Sequence, residues 1–376
     1  MWRHFGERGG IAVYTEAVIR GLLARDPRSE YVVFVSPGAE PQIAAPNLRY
    51  VPVASSTKLL WDQHAVPAAA EREGIDIVFN PKLAVPLRGR FRTAFALHGM
   101  EQVVEARHFP WANRLYVRAT LPRFCRHADA IFCPSETVKG EIAGRMQVPA
   151  SRIHVTPYGL QPQFLRPIAD ADLARVRKRY ALPDRYLLFV GGLTPLKNLP
   201  TMLRAMALLR ERIPHQLLLT GFSRWSTDSG MGAVQGLGLG DRVQNVGWIA
   251  DEDQPAVYRL ASALLLPSLY EGFGFPVVEA MACGCPVVTS TGGSLPEVAG
   301  DAALIVEAED VEGLARAAQR LVEEPDLRAR LVARGVQRAQ TFRWEVVAAR
   351  LHDVFTTLAD ENRGGGRPAS TSPVRS

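Results

Sequence analysis

Short apolar runs alternate with amphipathic stretches along almost the whole chain. The apolar runs are rich in β-branched and aromatic side chains, a composition typical of buried strands. Stretches with helical spacing lie between them, for example Ile11–Ala24 and Ser135–Met146. Strands are predicted at 31–36, 75–79, 93–97 and 130–133, and then at 186–190, 216–220, 262–266, 286–290 and 302–306. This alternation predicts an α/β protein whose parallel sheets are covered by helices on both faces.

The chain has 376 residues, which is enough for two domains of ordinary size. The segment Thr156–Pro167 contains three prolines and a glycine and is expected to form the hinge between them. We therefore predict one Rossmann-like, doubly wound parallel-sheet domain over 1–160 and a second over 161–341. Residues 363–376 are rich in Gly, Pro and Ser and are expected to be disordered.

The composition excludes several classes of protein. With 47% hydrophobic and 22% charged residues, the chain is typical of a globular protein. It contains no apolar run long enough to span a membrane, and it does not open with a charged and then apolar leader. Its four cysteines are too few for a disulfide framework, which favours a reduced, cytoplasmic protein. Cys283 and Cys285 have no second cysteine pair or nearby histidine, so packing is favoured there over metal binding.

The net charge of +6 is confined to the first half of the chain. Residues 1–165 hold 20 Lys and Arg against 14 Asp and Glu, whereas the remaining residues hold 24 of each. No nucleic-acid recognition motif accompanies this charge, so an anionic acceptor or the anionic inner face of a membrane is the expected partner. The basic, aromatic-bearing segment Arg107–His127 is the candidate for peripheral membrane contact, and Pro110 and Pro122 are expected to limit it to a short helix. The alternative is a packed helix with one solvated face.

The segment Glu271-Gly-Phe-Gly-Phe-Pro-Val-Val-Glu279 carries the most chemical information. It joins a predicted strand to a predicted helix through a glycine-rich turn. Such a turn exposes backbone N–H groups at a helix N-terminus, where anions bind. Glu271 would lie in the loop and Glu279 near the start of the helix, where a carboxylate also suits the helix macrodipole. An anionic ligand that bears hydroxyl groups, such as a nucleotide-sugar, satisfies both features.

The same segment resembles the E-x7-E signature of the retaining glycosyltransferases of family 4, which have the GT-B fold. The resemblance is weaker in the first half, and in the second it extends over an ordered set of motifs: Leu188–Asn198, Leu217–Gly221, Val246–Ile249, Pro267–Glu271, Gly284–Ser290 and Gly292–Glu297. It implies two Rossmann-like domains that face a central cleft, with a last helix over 342–362 crossing back to the first domain. It also implies metal-independent transfer of a mannose- or glucose-type hexose, without a cofactor. The donor would be a GDP- or UDP-sugar, and the acceptor a hydroxyl of a glycan or a lipid-linked molecule.

The resemblance assigns roles to residues in the second half. Lys197 is the expected cation for the diphosphate, and Glu279 is expected to accept hydrogen bonds from the ribose hydroxyls. Glu271 is expected to contact the donor sugar and to stabilise charge at its anomeric centre. The backbone N–H groups between the two glutamates would face the sugar and the phosphate, unless the two phenylalanines simply pack: Gly272, Phe273, Gly274 and Phe275.

The resemblance also assigns roles to residues in the first half. His98 follows the strand over 93–97 and is expected to face the donor sugar across the cleft. Glu101 lies close by in sequence and is a candidate for assisting the acceptor. Gly9 and Gly10 resemble the glycine loop that approaches the diphosphate from this side.

The chain departs from the family pattern in two places. Gly192 stands where relatives often carry an arginine, and Arg224 is a candidate to replace that positive charge. Gly9 follows only Met1–Arg8, a prefix too polar for a central buried strand, so an incomplete and fragile N-terminal domain is expected. Two alternatives to the transferase therefore stay open: a catalytically impaired nucleotide-sugar-binding protein, and a UDP-sugar epimerase on the same scaffold.

Overall fold

The computed structural model describes residues 9–40, 43–221 and 227–364. The predictions made for Arg224, for Met1–Arg8 and for most of the C-terminal tail therefore fall outside the described residues. The strands are β1 Tyr31–Val35, β2 Leu48–Pro52, β3 Ile77–Asn80, β4 Arg92–Ala96, β5 Ala130–Cys133, β6 Ile153–Val155, β7 Tyr186–Val190, β8 Gln216–Thr220, β9 Val243–Gly247, β10 Ala263–Leu266, β11 Val287–Ser290 and β12 Leu304–Val306.

Helices separate most of these strands. They are α1 Gly10–Arg25, α2 Lys58–Leu60, α3 Val66–Arg72, α4 Glu101–Val104, α5 Trp111–His127, α6 Glu136–Met146, α7 Asp170–Arg179, α8 Leu199–Leu209, α9 Thr227–Gly236, α10 Gln254–Leu260, α11 Phe275–Ala282, α12 Leu295–Ala299, α13 Val311–Glu323, α14 Pro325–Ala339 and α15 Trp344–Gly364. Single turns of 3₁₀ helix cover Ala106–His108, Ala150–Arg152, Pro162–Leu165 and Pro195–Lys197, and one π turn covers Trp61–Ala65. The predicted α/β class is confirmed.

The sheet of the second half has the strand order β12-β11-β10-β7-β8-β9, and every pair in it is parallel. This is the doubly wound Rossmann order, in which two sets of three strands grow outward from a central pair. The central pair here is β7 and β10, which meet at Leu187–Ala263 and Leu188–Leu264. The chain winds away from this pair in opposite directions, so a crevice opens at the carboxyl edge of the sheet, beside the loops that follow β7 and β10. Ligands of open α/β sheets bind in the crevice that results.

The strands of the first half lie in two parallel sheets within the described ranges. One contains β1 and β2, and the other has the order β3-β4-β5-β6. Because the strands of the larger sheet are parallel, His98 after β4 and Ser135 after β5 lie at the same, carboxyl edge. This edge supplies the first-half residues of the site described below.

The last helix, α15, packs on the first half of the molecule. A Cβ atom on Gly21 of α1 would lie only 2.6 Å from the Cβ of Ala348, so the glycine permits close approach of the two helices. At the start of α15, a Cβ on Gly159 would lie 2.3 Å from the Trp344 nitrogen. The segment before the second sheet is thus held directly against the start of α15.

Helix α5 differs from its prediction. It runs from Trp111 to His127 and continues through Pro122, which was expected to end it. An internal proline costs a helix roughly 3 kcal/mol. Burial of the flanking side chains Val117, Leu121 and Phe124 offsets that cost, because most helical stability in proteins comes from tertiary packing. Among the described residues, none of the helices is both long and apolar enough to cross a membrane.

Candidate active site

The loops after β7 and β10 meet at the centre of the second sheet and bring Lys197 and Glu271 together. The Leu269 N–H donates to the Leu196 carbonyl at 2.8 Å, which ties one loop to the other. The side chain of Asn198 donates to the carbonyls of Pro267 and Ala308 at 3.1 and 2.6 Å. These bonds fix the backbone on both sides of Lys197, whose Nζ donates to Glu271 Oε1.

The Lys197–Glu271 ion pair is largely shielded from solvent, with 18% and 15% of the two side chains exposed. The Ser268 hydroxyl donates to the same Oε1 at 2.8 Å. Two donors on one carboxylate oxygen hold the Glu271 side chain in place. The pair therefore presents an ammonium group and a carboxylate, side by side, at the crevice where the sheet order reverses.

Glu279 lies within α11 and is half-buried behind this pair. The Tyr258 hydroxyl donates to Glu279 Oε2 at 2.7 Å. Burial raises the pKa of Glu279 to about 7, against the smaller lowering effects of the Tyr258 hydrogen bond and the Lys197 charge. The carboxyl group therefore titrates near neutral pH, and the charge of Lys197 lowers its pKa.

The glycine-rich turn is packed too tightly for side chains. A Cβ atom on Gly272 would lie 1.8 Å from the carbonyl oxygen of His98, in the other half of the molecule. Gly274 has a φ of +102°, which favours glycine, and its Cβ would lie 2.8 Å from Leu295 Cδ2. Gly293 packs against the start of the turn, because a Cβ on it would lie 2.4 Å from the Glu271 carbonyl oxygen. Close contact with protein backbone therefore requires Gly272, in addition to any role toward a ligand.

The phenylalanine rings of the turn pack in an aromatic cluster that joins the two halves, as one of the two sequence-based alternatives proposed. The cluster comprises Tyr14, His98, Tyr158, Phe273, Phe275, Phe342 and Trp344. Its centre is Tyr158, which stacks on Phe275 and Trp344 with centroid distances of 5.2 and 6.0 Å. The Phe273 ring lies 5.0 Å from Tyr158 and 5.5 Å from Phe342. Only the backbone groups of Phe273 and Phe275 remain available for the predicted ligand contacts.

His98 belongs to this cluster, and both of its ring nitrogens are engaged. Nε2 is 2.7 Å from the Pro81 carbonyl, which accepts only, so Nε2 carries the proton. Nδ1 then accepts from the Tyr158 hydroxyl. The ring centroids of His98 and Tyr14 lie 5.0 Å apart in an edge-to-face arrangement. His98 thus ties β4 to the hinge, while its carbonyl group packs on Gly272.

Gly9, Gly10 and Glu101 approach the same turn from the first half. Gly9 precedes α1 with a φ of +133°, and a Cβ on Gly10 would lie 3.1 Å from the ring of Phe275. Glu101 is the first residue of α4. A Cβ on Gly99 would lie 2.5 Å from Glu101 Oε2. Burial raises the pKa of Glu101, and the nearby charges of Glu271 and Glu141 raise it further. The structure therefore brings every predicted site residue within its described ranges to one place between the halves.

Glu297 was predicted only as part of a motif, and its position shows a further role. Its carboxylate accepts from the N–H groups of Glu136 and Thr137 at 2.8 and 2.9 Å, at the first turn of α6 in the other half. Beside it, the hydroxyls of Ser135 and Ser294 are 2.6 Å apart and buried. Nothing in the local sequence signals these contacts, since their partners lie about 160 positions apart.

The cysteines and acidic side chains add no further site. Cys283 and Cys285 are buried free thiols whose pKa values are raised by burial. Among the residues the structure describes, no group of three or more His, Cys, Asp or Glu side chains is arranged to hold a metal ion. Asp253, which follows β9, is instead bound by Arg175 and Arg179, each at 2.8 Å.

Two family models match the chain. The model described as glycosyl transferases group 1 matches residues 172–338, and the model described as glycosyltransferase family 4 matches residues 8–164. The O-antigen chain mannosyltransferase B of Escherichia coli is 31% identical over 282 residues, which cover 74% of this chain and 74% of that protein. A D-inositol 3-phosphate glycosyltransferase of Salinispora tropica is 33% identical over 254 residues, or 63% of this chain, but only 52% of that relative is covered.

Solved structures of similar fold cover nearly the whole chain. Sucrose-phosphate synthase of Thermosynechococcus elongatus has a TM-score of 0.73 and 26% identity, with 93% of this chain and 94% of that chain covered. Anabaena HepE, solved in complex with UDP and glucose, has a TM-score of 0.73 over 95% of this chain and 98% of its own, and its 17% identity makes this a likeness of fold alone. The fold, the crevice between β7 and β10 and these matches together define a GT-B glycosyltransferase. Within that class, the chain belongs to glycosyltransferase family 4.

Proposed function

We propose that the chain transfers a hexose from a UDP- or GDP-sugar to a hydroxyl of a glycan or lipid-linked acceptor, with retention of configuration at the anomeric carbon. The observation that carries this proposal is the Lys197–Glu271 pair at the point where the Rossmann sheet reverses, with Glu279 behind it. The mannosyltransferase name of the E. coli relative favours a mannose-type hexose. The UDP and glucose bound to Anabaena HepE support a nucleotide-sugar donor on this fold.

Lys197 alone does not neutralise a diphosphate, because Glu271 already offsets its charge. Two helix N-termini provide further positive potential, since neither α1 nor α11 has an acidic residue in its first turn. Gly10 at the start of α1 contacts the ring of Phe275 at the start of α11, so both termini lie at the same crevice. In our proposal the donor phosphate replaces Glu271 as the ion-pair partner of Lys197. Glu271 is then available to stabilise the anomeric centre.

Glu279 and Glu101 complete the proposed binding of donor and acceptor. Glu279 accepts the ribose hydroxyls, and these hydrogen bonds favour its ionised form. Glu101 lies near Gly272 with a raised pKa, so it suits a hydrogen bond with the acceptor hydroxyl. For its Nε2 to contact the donor sugar, His98 would have to break its hydrogen bond to the Pro81 carbonyl. We therefore assign His98 mainly to ordering the turn.

We also propose that α5 rests on an anionic membrane, which would suit a lipid-linked acceptor. Trp111 is 75% exposed and Leu115 61%, and both project from a helix that also exposes Arg114 and Arg118. Burial and then the charge of Asp62 raise the pKa of Tyr116. Leu59 and Leu60, which precede Asp62 in the chain, are also exposed. Apolar groups rimmed by arginines are typical of interfacial helices.

Sedimentation with phosphatidylglycerol vesicles tests the membrane contact. The wild-type protein should sediment, and the variant Trp111→Glu/Leu115→Glu should stay in the supernatant. Leu165→Glu changes an equally exposed leucine outside this face and should sediment like wild type. Equal sedimentation of both variants would contradict the proposal.

Thermal unfolding with UDP, GDP and their sugars tests the donor site, because a ligand that binds the native state raises its melting temperature. One nucleotide series should stabilise the wild-type protein. Lys197→Met should weaken that nucleotide by about tenfold or more, because a charge-assisted hydrogen bond is lost. Lys178→Met removes an exposed lysine of α7 and serves as the matched control. If both variants bind alike, the diphosphate assignment is wrong.

Product analysis separates the transferase from the alternatives. A transferase releases UDP or GDP only when an acceptor with a free hydroxyl is supplied, whereas an epimerase changes the sugar and keeps the diphosphate bond intact. A binding protein does neither, although it would pass the thermal test.

A further inference from the structure

A cavity of about 730 Å³ lies at the opposite edge of the first-half sheet from the proposed active site. Its floor is formed where β4, β5 and β6 begin, whereas His98 follows the end of β4. Its other wall is α15, from Arg350 to Glu361. The volume falls within the range of small-ligand sites, which is roughly 300–1,000 Å³.

Four arginines from four different elements converge on this cavity. Arg92 begins β4, Arg126 lies in the last turn of α5, Arg152 ends the turn before β6, and Arg350 belongs to α15. Arg126, Arg152 and Arg350 are exposed to the cavity and form no ion pair with a carboxylate in the described part of the chain. The Arg152 guanidinium donates to the Arg126 carbonyl at 3.3 Å, which brings two of these residues together.

The three carboxylates that line the cavity are already paired with other groups. Asp129 accepts from the Arg92 guanidinium at 3.0 Å and from the Thr93 N–H at 2.7 Å. Glu361 lies 3.7 Å from Arg92, and Asp353 lies 3.7 Å from Arg25. Among the described residues, the charges of the other three arginines are therefore not balanced by a carboxylate of the cavity wall.

His154 also lines the cavity, and the charge of Arg350 acts on it. Its pKa is lowered first by burial and then by the charges of Arg350 and Lys139. The charge of Arg350 thus disfavours the protonated, cationic form of His154, and the same charge favours an anion in the cavity.

We propose that this cavity binds a phosphoryl group, held by Arg126, Arg152 and Arg350 between the first-half sheet and α15. A guanidinium group can give two parallel N–H donors to a carboxylate or to a phosphate. A phosphate or diphosphate has more oxygens and more negative charge than one carboxylate, so it suits three guanidinium groups better. Both a soluble phosphorylated molecule and a lipid headgroup carry this chemistry. The inference does not depend on the proposed donor site, which lies at the other edge of the sheet.

Occupancy of the cavity would also stabilise the proposed active site. The helix that carries Arg350 begins at Trp344, which stacks on Tyr158, and the Tyr158 hydroxyl meets His98. A phosphoryl group that binds α15 to the sheet therefore holds the helix whose first residue supports the aromatic cluster. The site would couple the presence of a phosphorylated molecule to the stability of the crevice.

Calorimetric titration of the full chain with pyrophosphate tests the proposal, with Lys197→Met included so that the donor site contributes less to the measured binding. Binding should persist in Lys197→Met and weaken by about tenfold or more when Arg152→Gln and Arg350→Gln are added. Adding Arg204→Gln and Arg330→Gln instead removes two exposed arginines elsewhere and should leave the affinity unchanged. Equal binding to both sets of variants, or loss of all binding in Lys197→Met, would overturn the proposal.

Hydrogen exchange of the wild-type protein gives a readout that needs no variant. Pyrophosphate should slow exchange in 350–361 and 150–154, and protection confined to 271–279 would overturn the assignment. Flotation with phosphatidic acid vesicles against phosphatidylcholine vesicles distinguishes the sources. Vesicle binding lost with Arg152→Gln/Arg350→Gln indicates a lipid headgroup, and unaffected vesicle binding with lost pyrophosphate binding indicates a soluble phosphate.

Discussion

The Glu297 carboxylate accepts two hydrogen bonds from Thr137, one from its N–H at 2.9 Å and one from its hydroxyl at 2.8 Å. Glu297 belongs to α12 of the second half, and Thr137 lies in the first turn of α6 in the first half. A carboxylate at a helix N-terminus is favoured by both the free N–H groups and the helix macrodipole. This pair therefore holds the two halves at a fixed orientation beside the crevice.

Replacing Glu297 should loosen the contact between the halves. Glu297→Ala should lower stability by about 1–3 kcal/mol, because the N–H groups of α6 lose a charged acceptor. Thermal unfolding measures the change. Glu309→Ala removes an exposed glutamate of the same half and should have little effect. Equal melting temperatures for the two variants would contradict a structural role for Glu297.

Gly272→Ala should separate the halves at the turn. The new Cβ would lie 1.8 Å from the His98 carbonyl, a contact that only a backbone shift relieves. We expect transferase activity to be lost and the radius of gyration from small-angle X-ray scattering to rise. Gly140→Ala is the control, since its Cβ meets nothing within 4 Å and lies inside α6, where alanine is favoured. Wild-type scattering and activity in Gly272→Ala would show that the two halves do not need this close contact.

Glu279 should make stability depend on pH. Its native pKa is about 7 against an ordinary 4.5, so between these values the native state keeps a proton that the unfolded chain has lost. Stability should therefore fall as pH rises through this interval, by at most about 3 kcal/mol. Glu279→Gln should remove that loss. The stability of this variant relative to wild type should therefore be higher above about pH 7 than below pH 4.5. A stability difference that does not change with pH would contradict the raised pKa.

Nucleotide binding should release a proton if Glu279 accepts the ribose hydroxyls. Binding then favours the carboxylate, so affinity for UDP or GDP should increase as pH rises through about 7. Calorimetry in buffers of different ionisation enthalpy measures the proton directly. In Glu279→Gln the pH dependence should vanish along with part of the affinity. Proton release that persists in Glu279→Gln would assign it to another group.

The sequence predicted all the central strands of the described sheets but only three of their six edge strands. Strands β7, β8 and β10 are buried on both faces, so they appear as continuous apolar runs and match their predicted bounds to within a residue. The three strands that were not predicted are β2, β6 and β9, and each lies at the edge of its sheet. Edge strands are partly solvated and carry polar residues, so their apolar pattern is weak.

The residues of the site likewise fall into those that the sequence reveals and those that it does not. Lys197, Glu271 and Glu279 stand in local motifs next to strand ends, which is why a sequence reveals them. The contacts of Glu297 with α6 and of Gly272 with His98 join segments far apart in the chain. Such contacts leave no local pattern of residues and follow only from the packing of one half on the other.

The packing of α15 on α1 has a consequence for how the protein is made. Ribosomes release a chain from its N-terminus, and domains generally fold in that order. Here the face of α1 around Gly21 packs against Ala348 and Trp344 of α15. That face of α1 therefore stays open to chaperones or to aggregation until α15 has also been synthesised.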